Sequence, residues 1–395
     1  MNKQLFISIA IFLCIALATV LVVLYGKGYR PDFGQGKVDL ATNGLLVTTS
    51  IPDGGSVYVN GKLKTATDNT ISLNPGSYDV KIQKEGYFTW EKKVNITASV
   101  VSRADALLIP NAPKLESITD SGAQSPIIDP TLTKIAFLVS SQSAATNGIY
   151  VFDMKNTPLL TLQSASSLIV NDSFDIFSQS NISWSPDGKD IMATISGQTI
   201  SNTYLLDTDQ PNNPPNNVTN TLLAVSQDWN VQKTAKDKAA LGSLPSKVRK
   251  MVLQNFDVMA YSPDQNKILY TASESANLPI IIKPRLFGVD STPEQRSIQK
   301  GGIYVYDVKE DRNYQMDAGN FKAAYSWFTD NRHLIFVRNK ELHIVEYDAL
   351  NDTIVYAGPF IENYVFPWPD ATKIVVLTNL GNRNITPNLY TISLK

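Results

Sequence analysis

One cysteine and two histidines stand in a chain of 395 residues. A single thiol excludes an internal disulfide and a cysteine-based metal site, and two imidazoles leave little for acid–base catalysis near neutral pH. An excess of positive charge is missing as well: Lys plus Arg is 35 and Asp plus Glu 36, a net charge of −1. That balance excludes the electrostatic footprint of a nucleic-acid binder. Charge of either sign is scarce, at 18% against about 25% in ordinary soluble chains. A hydrophobic share of 43% nevertheless excludes disorder. No Gly-x-Ser-x-Gly, no His-Glu-x-x-His, no phosphate-cradling glycine loop and no Asp-rich calcium repeat occurs. What remains is a folded chain of two or three domains with an uncharged polar surface, for which no cofactor, no metal and no enzymatic activity are expected.

Turning to what is present, positions 5–25 form a run without a charge, in which only Ser8 and Thr19 are polar. At 1.5 Å per residue such a run covers a hydrocarbon core of about 30 Å. A cleaved signal peptide has a shorter apolar region and a small-x-small site. Here Val22, Val23, Leu24 and Tyr25 run instead into Gly26-Lys27-Gly28. Residues 1–27 therefore read as a signal-anchor transmembrane helix and 28–43 as a Gly/Pro-containing linker. Lys3 on one side and Lys27 and Arg30 on the other leave the orientation open.

Short alternating runs at 45–50, 57–59, 77–82 and 90–96 follow. They are separated by Pro52-Asp53-Gly54-Gly55, Asn60-Gly61, Asn74-Pro75-Gly76 and Glu85-Gly86, which supply the fixed or positive φ that tight β-turns need. The strands predict a small β-sandwich over 44–110. Ser50-Ile51-Pro52-Asp53-Gly54-Gly55-Ser56-Val57-Tyr58-Val59-Asn60-Gly61, then Leu73-Asn74-Pro75-Gly76-Ser77-Tyr78-Asp79-Val80 and Lys84-Glu85-Gly86-Tyr87, resemble the PEGA domain. Asp53 and Gly55 replace the name-giving glutamate and alanine. The resemblance implies an extracytoplasmic bacterial surface module, a spacer or binding domain without catalytic residues. It places the bulk of the chain outside a cell membrane crossed once.

From 113 to 395 a pattern repeats: a bulky apolar residue, a polar turn, then a β-branched or leucine residue seven positions on. It occurs as Ile128 to Ile135, Trp184 to Ile191, Tyr261 to Ile268 and Trp327 to Leu334, with a tighter copy from Trp368 to Ile374. Ser185-Pro186-Asp187-Gly188 is its best-formed turn. Each copy continues into further short strands, many ending in aspartate. The repeat predicts a mainly β fold ending in a β-propeller of five blades, six being the alternative. Its last copy lacks an outer strand, and 114–119 is a spare one whose pairing would close the ring. The Trp184-Ser185-Pro186-Asp187-Gly188-Lys189 turn is similar to those of TolB-like, WD-like propellers, which implies a protein- or sugar-binding platform.

Two insertions interrupt the repeat. Residues 228–254 read as a helical hairpin, with Val248, Met251 and Val252 on its apolar side and Lys247, Arg249 and Lys250 on its polar side. A second loop, 273–301, carries Lys283, Arg285 and Arg296. These six cations are the candidate binding residues for an anionic ligand, although charge runs usually mark a solvated face. His333 and His343 do not form a metal pair: an Asn339-Lys340 hairpin sets His343 opposite Phe336, so the two rings fall on opposite faces of the ladder. The functional expectation is a non-enzymatic surface protein binding a protein or an envelope glycan, and no nucleic acid. The rivals are a propeller hydrolase or lactonase with an acidic central channel, and a sensor acting through a separate membrane partner.

Overall fold

The computed structural model describes residues 3–26, 29–32, 39–140, 143–155, 166–197, 201–316 and 324–395. They divide into two compact units: Met1–Leu108 with Ile282–Pro293, and Ile109–Ile281 with Glu294–Lys395.

Unit 1 begins with helix α1, Lys3–Gly26, in which the Thr19 hydroxyl donates back to the Ile15 carbonyl at 2.8 Å. The transmembrane helix expected over 1–27 is not established by it. Among the described residues no helix is long and apolar enough to cross a membrane. Within the expected linker, Tyr29–Asp32 pairs antiparallel with Asp39–Thr42. The same Gly and Pro content serves a hairpin as well as a linker.

The sandwich itself has two sheets. In one, Gly44–Ile51 lies between Asn69–Leu73 and the parallel strand Val101–Leu107. The other runs Lys62–Ala66, Ser56–Val59, Gly76–Gln83, Trp90–Ile96, with antiparallel pairing throughout. Asn60 and Gly61 both have positive φ, 48° and 74°, as the tight turn before Lys62 requires. Leu46, Val57, Val59, Val80, Ile82, Trp90, Val94 and Leu108 form the core between the sheets.

Trp90–Ile96 is an edge strand, and Ile282–Pro293 seals it. Lys92 Nζ lies 3.0 Å from Asp290 Oδ2, with side chains only 8% and 5% exposed. The Asn95 N–H, free of the ladder, donates to Ser291 Oγ at 2.8 Å. Gly288 has φ +72°, and a Cβ there would stand 2.6 Å from the Val101 carbonyl oxygen, so a side chain is excluded. Burial alone would raise the pKa of Asp290, but the Lys92 charge and the Thr292 N–H hold it below the usual carboxylate range.

Unit 2 is built from five four-stranded antiparallel sheets. Blade 1 comprises Gln124–Ile128, Lys134–Val139, Gly148–Asp153 and Ser166–Asn171; blade 2 comprises Asn181–Trp184, Asp190–Ser196, Ser201–Asp207 and Asn216–Asn217. Blade 3 is Phe256–Tyr261, Lys267–Ala272, Ile303–Asp307 and Arg312–Gln315, and blade 4 is Ser326–Trp327, His333–Arg338, Glu341–Glu346 and Thr353–Tyr356. Blade 5 takes Val365–Pro367, Lys373–Thr378 and Asn388–Ser393 from the end of the chain and Leu115–Ser117 from the start of the unit. Leu115 pairs with Ile392 and Ser117 with Tyr390, so the spare strand closes the ring as the repeat predicted. Asn388 Oδ1 fastens this closure by accepting from Thr119 Oγ1 at 2.8 Å and the Gly122 N–H at 2.9 Å.

Between blades 2 and 3 lie helix α2, Leu222–Ser243, and helix α3, Ser246–Asn255. The helical hairpin expected over 228–254 thus starts earlier, at Leu222, and ends at Asn255. Helix α2 buries no residue, whereas α3 buries Val248, Met251 and Val252 against Phe256, Tyr270 and Tyr306 of blade 3.

Candidate functional site

The turns between first and second strands set the geometry of every blade. Ser185 Oγ donates to Asp187 Oδ1 at 2.7 Å and accepts the Asp190 N–H at 2.9 Å. Ser262 and Asp264 repeat the arrangement in blade 3. In blade 1 Asp129 occupies the serine position and accepts from Thr131, Thr133 and Lys134 N–H groups. Asp330 and Asp370 do similar work in blades 4 and 5. Such side-chain-to-backbone bonds satisfy the turn amides locally and fix where the first strands lie. Neighbouring first strands are then joined side to side: Trp184 Nε1 donates to the Ile127 carbonyl at 3.1 Å and Trp327 Nε1 to that of Ala260 at 3.4 Å.

Where the first strands of blades 4 and 5 approach, a cleft of about 290 Å³ opens, lined by Ala324, Ser326, Ile335, Phe336, Val337, Glu362, Asn363 and Val365. Ser326 stands opposite Ile335 in the blade 4 ladder. Glu362 and Asn363 are the two central residues of a β-turn closed by Tyr364 N–H to the Ile361 carbonyl, 3.0 Å, and anchored by Ile361 N–H to Leu377, 2.8 Å. The turn holds both side chains at the cleft. The side chains of Ser326, Glu362 and Asn363 make no hydrogen bond to another described residue. The floor is well packed: Phe336 is 4% exposed and packs against Tyr325 at 4.8 Å and the stacked ring of His343 at 4.9 Å.

Behind the floor, His343 Nδ1 meets Asp352 Oδ1 at 2.7 Å, and Arg338 Nη2 donates to Asp352 Oδ2 at 2.7 Å. Burial would raise the Asp352 pKa, but these two bonds lower it. His343 does stand opposite Phe336, and His333 opposite Glu346, so the histidines are separated as the hairpin register required. His333 Nδ1 is instead 2.5 Å from Asp330 Oδ2. Burial would depress the His333 pKa, yet the charge and hydrogen bond of Asp330, with the Glu346 charge, raise it. Asp330 in turn, despite its own burial, is held down to about 2 by His333 and the Arg332 and His333 N–H groups. This pair fixes the blade 4 turn.

The six candidate cations do not share one role. Lys247 and Lys250 are exposed on α3. Arg249 caps the end of α2, its Nη2 donating to the Gly242 and Leu244 carbonyls at 2.8 and 3.0 Å. Arg296 is turned inward, with Nε 2.9 Å from Glu294 and Nη2 3.0 Å from Asp311 Oδ1, and ties down the base of its loop. Lys283 and Arg285 belong to the Ile282–Pro293 segment of unit 1. The cleft residues escaped the sequence reading because a lone serine and a Glu-Asn turn carry no motif. Their one local signal is the polar pair between Ile361 and Tyr364. Among the first strands of the five blades, Asp257 is the single carboxylate.

No curated protein matches the chain. Among solved structures, a TolB from Agrobacterium tumefaciens shows 13% identity over 68% of this chain and 79% of its own, with a TM-score of 0.23. TolB from Acinetobacter baumannii shows 15% identity over 80% and 60% of the two chains, again at 0.23. The β-propeller domain of the Trilobed protease from Pyrococcus furiosus shows 12% identity over 89% and 95%, also at 0.23. At such scores the propeller rests on the strand pairing above. Residues 43–110 match the PEGA domain family, so the sandwich of unit 1 is a PEGA domain.

Proposed function

We propose that the chain is a non-enzymatic, membrane-anchored extracytoplasmic binding or scaffold protein whose propeller unit holds a protein or an envelope glycan in the cleft between blades 4 and 5. The observation that carries this reading is the set of three polar side chains, Ser326, Glu362 and Asn363, that bond no other described residue and line the cleft with an apolar floor. Convergent polar groups over an apolar surface are what small binding sites are made of. The anchor rests on the uncharged run 5–25, and the extracytoplasmic placement on the PEGA domain. The rival acidic channel would show carboxylates converging from several blades, and among the first strands Asp257 is the single one.

The test is capture of cell-envelope proteins and polymers by the full chain and by its Ser326→Trp variant, which fills the cleft, with Leu223→Ala, at an exposed position of α2, as the folded control. Loss of capture in the tryptophan variant alone supports the reading. Equal capture by all three overturns it. Protease treatment of intact cells tests the placement: shaving from outside agrees with it, and protection until the membrane is broken contradicts it.

A further inference from the structure

We infer that the cleft between blades 4 and 5 takes a lysine side chain presented by a protein partner; this rests on that cleft being the binding site. Glu362 is the one charged residue among its described lining residues, so the cleft favours a cation. Its polar lining residues, Glu362, Ser326 and Asn363, offer a carboxylate, a hydroxyl and an amide oxygen as acceptors. An ammonium has three N–H donors that point apart and suits such a set. Ala324, Ile335, Phe336, Val337 and Val365 make the rest of the wall apolar, which matches the four-carbon stem below the charge. An amino sugar fits less well. Its ring calls for an exposed aromatic face, and Phe336 is buried with Tyr325 and His343 against it.

The experiment titrates the full chain in detergent with Nα-acetyl-lysine amide, its Nε-acetylated form and glucosamine, in the wild type and in Glu362→Gln. The expected result is binding of the lysine amide, none of the acetylated form, weaker binding of glucosamine, and a loss of about tenfold or more in Glu362→Gln, a charge-assisted hydrogen bond being removed. Equal binding of the acetylated form, tighter binding of glucosamine, or an unchanged Glu362→Gln variant overturns the inference. Envelope capture separates this failure from that of the underlying reading. Capture lost in Ser326→Trp but kept in Glu362→Gln sinks the lysine assignment alone, and capture kept in both sinks the cleft as the site.

Discussion

Both units face the same hazard, an unpaired sheet edge, and they meet it differently. Unit 2 closes blade 5 with Leu115–Ser117, an ordinary strand that adds backbone bonds to a ladder. Unit 1 covers Trp90–Ile96 with Ile282–Pro293, which contributes a buried ion pair and one side-chain acceptor. The first device depends on strand geometry and tolerates change along the strand. The second concentrates its effect in Lys92, Asp290, Ser291 and Gly288.

The comparison can be broken most forcefully at the ion pair. Lys92→Ala removes the cation paired with the buried Asp290 carboxylate, and destabilisation of unit 1 by about 3–5 kcal/mol is expected. Hydrogen exchange across Trp90–Ile96 measures it, and the unfolding of unit 2 is expected to stay unchanged. Lys92→Met combined with Asp290→Leu is expected to recover most of the loss. Gly288→Ala strikes the same seal through the backbone, and about 1–3 kcal/mol is expected from its positive φ and the nearby Val101 carbonyl.

The matching perturbation in unit 2 is smaller. Asn388→Ala removes the acceptor for Thr119 and Gly122, and about 1–3 kcal/mol is expected in urea unfolding of unit 2. Smaller still is a pH effect at the blade 4 turn. The raised pKa of His333 gives stability that is full below the unfolded value near 6.5 and is lost as pH rises through the folded pKa. The lowered pKa of Asp330 gives stability that is present above about 4 and lost as pH falls toward about 2. Unit 2 is therefore expected to melt highest between about pH 4 and 6, and His333→Gln to flatten the alkaline limb of that profile.

How much of this could be read from the residues follows the same division. The ring closure, the turns at Asp187 and Asp264 and the pairing of His343 with Phe336 were legible because period-2 alternation and turn chemistry are local. The segment Ile282–Pro293 was not: nothing near Asp290 marks a partner 198 positions away. Strands Lys62–Ala66 and Asn69–Leu73 escaped for a different reason. Their side chains are mostly exposed, so they show little alternation. Arg249 and Arg296 looked like ligand-binding cations, but carbonyls and carboxylates brought close by folding engage both guanidinium groups.

The most direct test of the functional account is a hydrogen-exchange footprint of the full chain with and without its captured envelope partner. The account predicts protection on 324–326, 335–337 and 361–365, around the cleft. Protection confined to the α2–α3 hairpin, or to the first strand of blade 3 around Asp257, would contradict it.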